Sequence, residues 1–178
     1  MNEDYYNRIA NSSALRESRV NNKSYTLSNP EYLSDLIQMA FDTKDKNHHK
    51  ACWVLELVCE EQPELLLPYL DKFCEVLTKY TREQALRPIA KICMLAAKKL
   101  KTHLTEIQEE KIVSACFDWL IGKHKVAPKV YAIYTLNSFA KKNDWIRQEL
   151  LNIIEKDFSE QSAAYKAAAK EVLRKLSK

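Results

Sequence analysis

Residues 89–97 read Ile-Ala-Lys-Ile-Cys-Met-Leu-Ala-Ala, and residues 51–59 read Ala-Cys-Trp-Val-Leu-Glu-Leu-Val-Cys. Each stretch is apolar but for one charged residue, Lys91 in the first and Glu56 in the second. Apolar runs of this length suit a buried strand as well as a buried helix, and flanking turn residues arbitrate between them. Turn residues are scarce here. Gly122 is the single glycine in 178 residues, where average usage gives roughly a dozen. Tight hairpins and phosphate-cradling loops both draw on glycine, so the runs are read as helices. A helix apolar round most of its circumference is sandwiched between neighbours rather than laid on a surface.

Working outward, the same signature recurs. Apolar centres fall at Leu55, Cys93, Leu136 and Val172, roughly 40 residues apart, the period of stacked two-helix repeats. Caps and prolines set the expected helices. Ser28-Asn29-Pro30-Glu31 opens one over 29–43, followed by 46–60 and by 64–79 with Pro68 in its first turns. Thr81 caps 82–100, which carries Pro88 early. Thr105 caps 106–121, which Gly122 closes. Further helices cover 126–142, 144–157 and 160–176, the last with Ser159 as cap. The fold class is therefore all-α, an α-α superhelix of about three to four helix pairs. Residues 1–28 are polar, rich in Asn and Ser, and read as a partly ordered segment with a short helix around 14–21. Residues 29–178 read as a single helical-repeat domain.

The paired helices, their period, Pro88 and Pro128 early in first helices, and the recurring basic-then-small pattern resemble the HEAT-repeat and armadillo-like superfamily. That pattern appears as Lys50-Ala51, Arg87-Pro88-Ile89-Ala90 and Lys166-Ala167-Ala168. The resemblance covers about residues 30–178. It implies a scaffold or adaptor whose second helices line the concave surface. One enzymatic branch of that superfamily, the DNA-alkylation-repeat glycosylases, is the enzyme reading to set beside it, and no motif here transfers a catalytic residue from it.

The motifs of catalysis are sparse. One glycine leaves no room for a phosphate loop, and neither Gly-x-Ser-x-Gly nor His-Glu-x-x-His occurs. His48 and His49 are adjacent and read as a surface pair. Cys52 lies four residues after His48, but a zinc site needs three or four converging ligands, so no metal and no cofactor are expected. Cys52, Cys59, Cys74, Cys93 and Cys116 are odd in number, lack Cys-x-x-Cys spacing, and sit among core residues. They read as buried, reduced thiols of a cytoplasmic protein. The longest purely apolar stretch, residues 92–97, is far below the ~20 residues of a membrane span, and no secretory leader is visible at the N-terminus.

Charge is the pattern with content. The net charge is +4, yet it is unevenly spread. First helices are basic: residues 82–100 sum to +4, 123–142 to +5 and 160–178 to +3. Second helices are acidic: 64–79 sum to −1, 106–121 to −3 and 145–157 to −1. Lysines in last turns offset the helix dipole and account for part of this. The leading reading is a non-enzymatic module that binds another protein, through Tyr69, Lys72, Asp118, Trp145, Arg147 and Gln148 on second helices and their loops. Trp145 serves equally as a staple into the core. The alternative reading is nucleic-acid binding or base excision through the basic first helices. It uses Lys91, Lys125 and Lys129, with Tyr131, Tyr134 and Trp119 for stacking. Acidic second helices repel phosphates, so nucleic-acid binding is expected to be weak.

Overall fold

The computed structural model describes residues 1–176 and is all-helical, with no strand among them. Lys178, counted in the charge of residues 160–178, lies outside the described residues. The chain forms two compact units, Met1–Ile92 and Cys93–Lys178. No described helix is long and apolar enough to cross a membrane.

The first unit holds α1 (Glu3–Ala10), α2 (Arg16–Ser28), α3 (Leu33–Phe41), α4 (His48–Glu61), α5 (Leu70–Val76) and the first half of α6 (Glu83–Lys99). The run 51–59 does what its composition dictates. α4 is the central helix, packed against α1, α2 and α3, with Ala51, Cys52, Val54, Leu55, Val58 and Cys59 all buried. Trp53 is only half-buried, and its indole N–H donates to the Gln84 carbonyl at 2.9 Å.

Residues 1–28, read from sequence as a polar segment with a short helix around 14–21, hold two helices. They form α1 and α2, and they are tied to the unit by an aromatic stack. The Tyr5 ring lies 4.7 Å from that of Tyr32 and 6.4 Å from that of Tyr25. Arg8 sits 3.9 Å over the Tyr25 ring, and the Tyr5 and Thr26 hydroxyls are 2.6 Å apart. The segment 64–79 is also not one helix. Residues Pro63–Tyr69 form a 3₁₀ helix, α5 follows, and Leu77–Lys79 is 3₁₀ again. Pro68 supplies no N–H for a regular α turn there.

The second unit holds the rest of α6, then α7 (Glu106–Ile121), α8 (Val126–Ala140), α9 (Asp144–Asp157) and α10 (Ala163–Leu176). α8 is its central helix, packed against α7, α9 and α10, and Ala132, Ile133, Leu136 and Phe139 are fully buried. Short connections on either side make α7 and α9 antiparallel neighbours of α8. α7 starts at a capping box. The Thr105 hydroxyl accepts from the Gln108 N–H at 3.2 Å, and the Gln108 side chain accepts from the Thr105 N–H at 3.0 Å. Gly122 ends α7 in an extended conformation (φ −69°, ψ 168°). Glycine is needed there for close approach: a Cβ would stand 2.8 Å from both the Asp118 carbonyl oxygen and the His124 ring. The last helix starts at Ala163 rather than near Glu160. Ser162, not Ser159, caps it, and Phe158–Glu160 is a separate 3₁₀ turn.

A candidate docking face on α7 and α9

Some cations of the first helices have partners inside the protein, while Lys98, Lys99, Lys123, Lys141 and Lys142 are exposed. Lys91 on α6 reaches the Glu56 carboxylate at 3.0 Å and also pairs with Glu60. Burial alone lowers its pKa, but the hydrogen-bonded carboxylates of Glu60 and Glu56 outweigh that and hold it above the ordinary lysine value. Arg87 joins the same buried carboxylate at 3.0 Å. Lys129 is buried, with its ammonium donating to the Leu120 carbonyl at 2.9 Å. It thus satisfies a carbonyl that the end of α7 leaves without a helical partner. Lys101 does the same for Ser138 at the end of α8, at 2.6 Å. Lys125 is exposed. Tyr131 is half-buried, and so is Tyr134, whose hydroxyl donates to Glu171 at 2.9 Å. Trp119 is buried and unavailable for stacking.

The cysteines, His48 and His49 also serve the core. All five cysteines are free and buried. Burial pushes the Cys59 thiol up to about 12 and raises that of Cys52 as well, so the nucleophilic thiolate is disfavoured. The expected surface histidine pair is corrected. His48 is 1% exposed, its ring stacks on Tyr80 at 5.9 Å, and neither ring nitrogen has a hydrogen-bond partner among the described residues. The reason is helical phase: His48 lies one turn before Cys52 and so shares the buried face of α4. His49 turns edge-on to Trp53 at 5.1 Å. No group of three or more His, Cys, Asp and Glu side chains is placed to hold a metal among the described residues.

One face of the second unit is open to solvent and chemically distinctive. Glu106 and Glu109 at the start of α7 lie beside Asn143 and Trp145 at the start of α9, with the Asn143 amide donating to Glu109 at 3.0 Å. Ile121 at the end of α7 lies beside Ile153 and Lys156 in the second half of α9. The two helices therefore run parallel, with a seam between them. On α7 the spacing Glu106, Glu110, Val113, Phe117, Ile121 is one helical stripe facing that seam. On α9 the matching stripe is Trp145, Glu149, Asn152 and Lys156.

Two grooves open along the seam. The first, about 350 Å³, has Val113 and Ile146 in its floor, Glu106, Glu109 and Glu110 on one wall, and Lys142 and Trp145 on the other. The second, about 330 Å³, lies between Ile121 and the Glu149–Asp157 half of α9. Trp145 is 59% exposed and leans on Phe117, ring centroids 5.8 Å apart. Ile121 is 63% exposed, and Ile107 on the flank of the stripe is 65% exposed. A large aromatic and two isoleucines left in water on two adjacent helices are more than scattered surface apolarity.

The residues expected to contact a partner are distributed unevenly. Trp145 lies in the seam, exposed rather than stapled into the core. Asp118, Arg147 and Gln148 are exposed on the same two helices but line neither groove. The Arg147 guanidinium donates to the Leu176 carbonyl at 2.5 Å. Tyr69 is half-buried and Lys72 exposed, both in the first unit. Glu106, Glu110, Phe117 and Ile121 are not among the residues expected to contact a partner, although their i, i+4, i+11, i+15 spacing places them on one stripe. Comparison with family models, curated proteins and solved structures gives no match to this chain.

Proposed function

We propose that this chain is a HEAT-like helical-repeat module that binds another protein through the α7–α9 face. The observation that carries the reading is the exposed Trp145, on the wall of the first groove and backed by Phe117. Aromatic residues at the centre of a patch supply much of the binding energy at interfaces. Protein binding is favoured over nucleic-acid binding because Lys91 and Lys129 are consumed by internal partners, and because the open face carries carboxylates that repel phosphate. Five buried free thiols suit the reducing cytoplasm. The five thiols, His48 and His49 are committed to packing, which favours an adaptor over an enzyme.

Affinity capture with the full chain, beside Trp145→Ala and the control Gln38→Ala on the first unit, tests the proposal. A protein that binds the native chain directly after purification should lose binding on Trp145→Ala and keep it on Gln38→Ala. If every direct partner binds the Trp145→Ala chain unchanged, the face is not the docking site.

A further inference from the structure

The open end of the α7–α9 seam has a charge arrangement that the fold itself does not use. Glu56, Glu60, Glu61 and Glu171 are each held by a lysine or arginine. Glu106 and Glu110 are exposed and in no ion pair among the described residues. They stand at i and i+4 on one helix, where like charges repel. Glu109 lies between them and is held by the neutral Asn143 amide. Their position in the first turns of α7 suits the helix dipole, but one carboxylate serves that purpose, and three on one groove wall exceed it. Across the groove stands the exposed face of Trp145, which attracts a cation lying within about 6 Å of the ring. The single cation on the rim is Lys142, itself exposed.

From this juxtaposition of Glu106, Glu109 and Glu110 with the Trp145 ring, we infer that the partner docks a lysine- or arginine-bearing segment into this groove. The inference rests on the docking reading above and names its partner's chemistry. A cation entering the groove relieves the Glu106–Glu110 repulsion and lies against the indole, while the segment's apolar side chains meet Ile121 and Ile153 further along the seam. An acidic segment or a phosphate backbone meets three carboxylates instead. Lys142 competes for the same carboxylates from the rim, so it opposes a cationic occupant.

The probe is a fluorescein-labelled peptide of alternating lysine and leucine, beside the same peptide with glutamate at every lysine. Anisotropy is measured on the full chain at low ionic strength and at about 0.15 M, where charges beyond ~8 Å are screened. The lysine peptide should bind at least tenfold tighter than the glutamate peptide and weaken as salt rises. Glu106→Gln with Glu110→Gln should cost at least tenfold in affinity, Trp145→Ala a comparable factor, and Lys142→Ala should tighten binding. Melting curves of each variant confirm that the fold persists. If the glutamate peptide binds as well, and Trp145→Ala still abolishes binding, the cationic partner is refuted and the docking face stands. If neither peptide binds, or if the lysine peptide binds equally well to Trp145→Ala, the cationic inference is overturned. The capture experiment above then decides separately whether the face docks proteins.

Discussion

Removing Glu56 should cost less than removing its two partners, because only the carboxylate has no route to water. Its side chain is 2% exposed and accepts from Arg87 and from Lys91, each at 3.0 Å. Arg87 is 40% exposed and rehydrates by a change of rotamer. Lys91 keeps Glu60 as a partner. Glu56→Gln therefore gives up charge-assisted hydrogen bonds without stranding a charge, and should cost about 1.5–3 kcal/mol. Arg87→Ala with Lys91→Ala leaves an ionised carboxylate in the core with no counter-charge, which should cost about 3–5 kcal/mol. Replacing all three by apolar residues of similar volume (Glu56→Leu, Arg87→Leu, Lys91→Met) should come close to neutral, since burying the ions offsets most of their mutual attraction. Urea denaturation followed by far-ultraviolet circular dichroism gives the midpoints and slopes. If the double cation variant is no less stable than Glu56→Gln, Glu56 reaches water and the buried-carboxylate argument fails.

Three further outcomes follow from the same packing. Leu55, 1% exposed at the centre of α4, should cost about 2–5 kcal/mol as Leu55→Ala; a loss below about 1 kcal/mol would place it at the surface. His48 is held below the ordinary histidine pKa, first by burial and then by Arg82 and His49, against the opposing pull of Asp45 and Asp42. The folded state thus binds fewer protons than the unfolded one, so stability is full above the unfolded value of about 6.5 and falls as pH drops through it. His48→Phe should flatten that acid limb of the urea midpoint, and an unchanged limb would assign it to other groups. Binding to duplex and single-stranded DNA should be weak and salt-sensitive, about 10⁻⁴–10⁻⁶ M at physiological salt, with no base release from alkylated DNA; nanomolar affinity or clear base release would overturn the adaptor reading.

The elements legible in the sequence are those whose cause is local. Thr105, Gln108 and Gly122 bracket α7, and its expected limits, 106–121, are the observed ones. The expected limits of α9, 144–157, hold as well. The near-continuous apolar run 51–59 marks α4 as a helix enclosed by others, because no single face could hide it. The elements that were not legible depend on partners distant in sequence. Tyr5, Tyr25, Tyr32 and Thr26 look like polar or amphipathic surface one by one, and only their stacking turns residues 1–28 into a folded part of the first unit. Glu56 reads as the charged interruption of an apolar helix until Arg87 and Lys91 arrive from α6.

The same distinction explains the site. Counting charge by helix made the first helices look like a working surface, because a sequence does not reveal which charges are already paired. A lysine such as Lys129, folded back onto the carbonyl of Leu120, contributes as much to the count as one facing solvent, yet offers nothing to a partner. The acidic second helices were read from the same count, and there the charges matter for the opposite reason: Glu106 and Glu110 are left without a counter-ion. Trp145 could be weighed only once α9 was placed beside α7. The ring leans on Phe117 and stays on the rim, 59% exposed. A face becomes a candidate interface by what the rest of the fold leaves unsatisfied. On α7 and α9 the fold leaves two carboxylates, an indole and two isoleucines facing solvent.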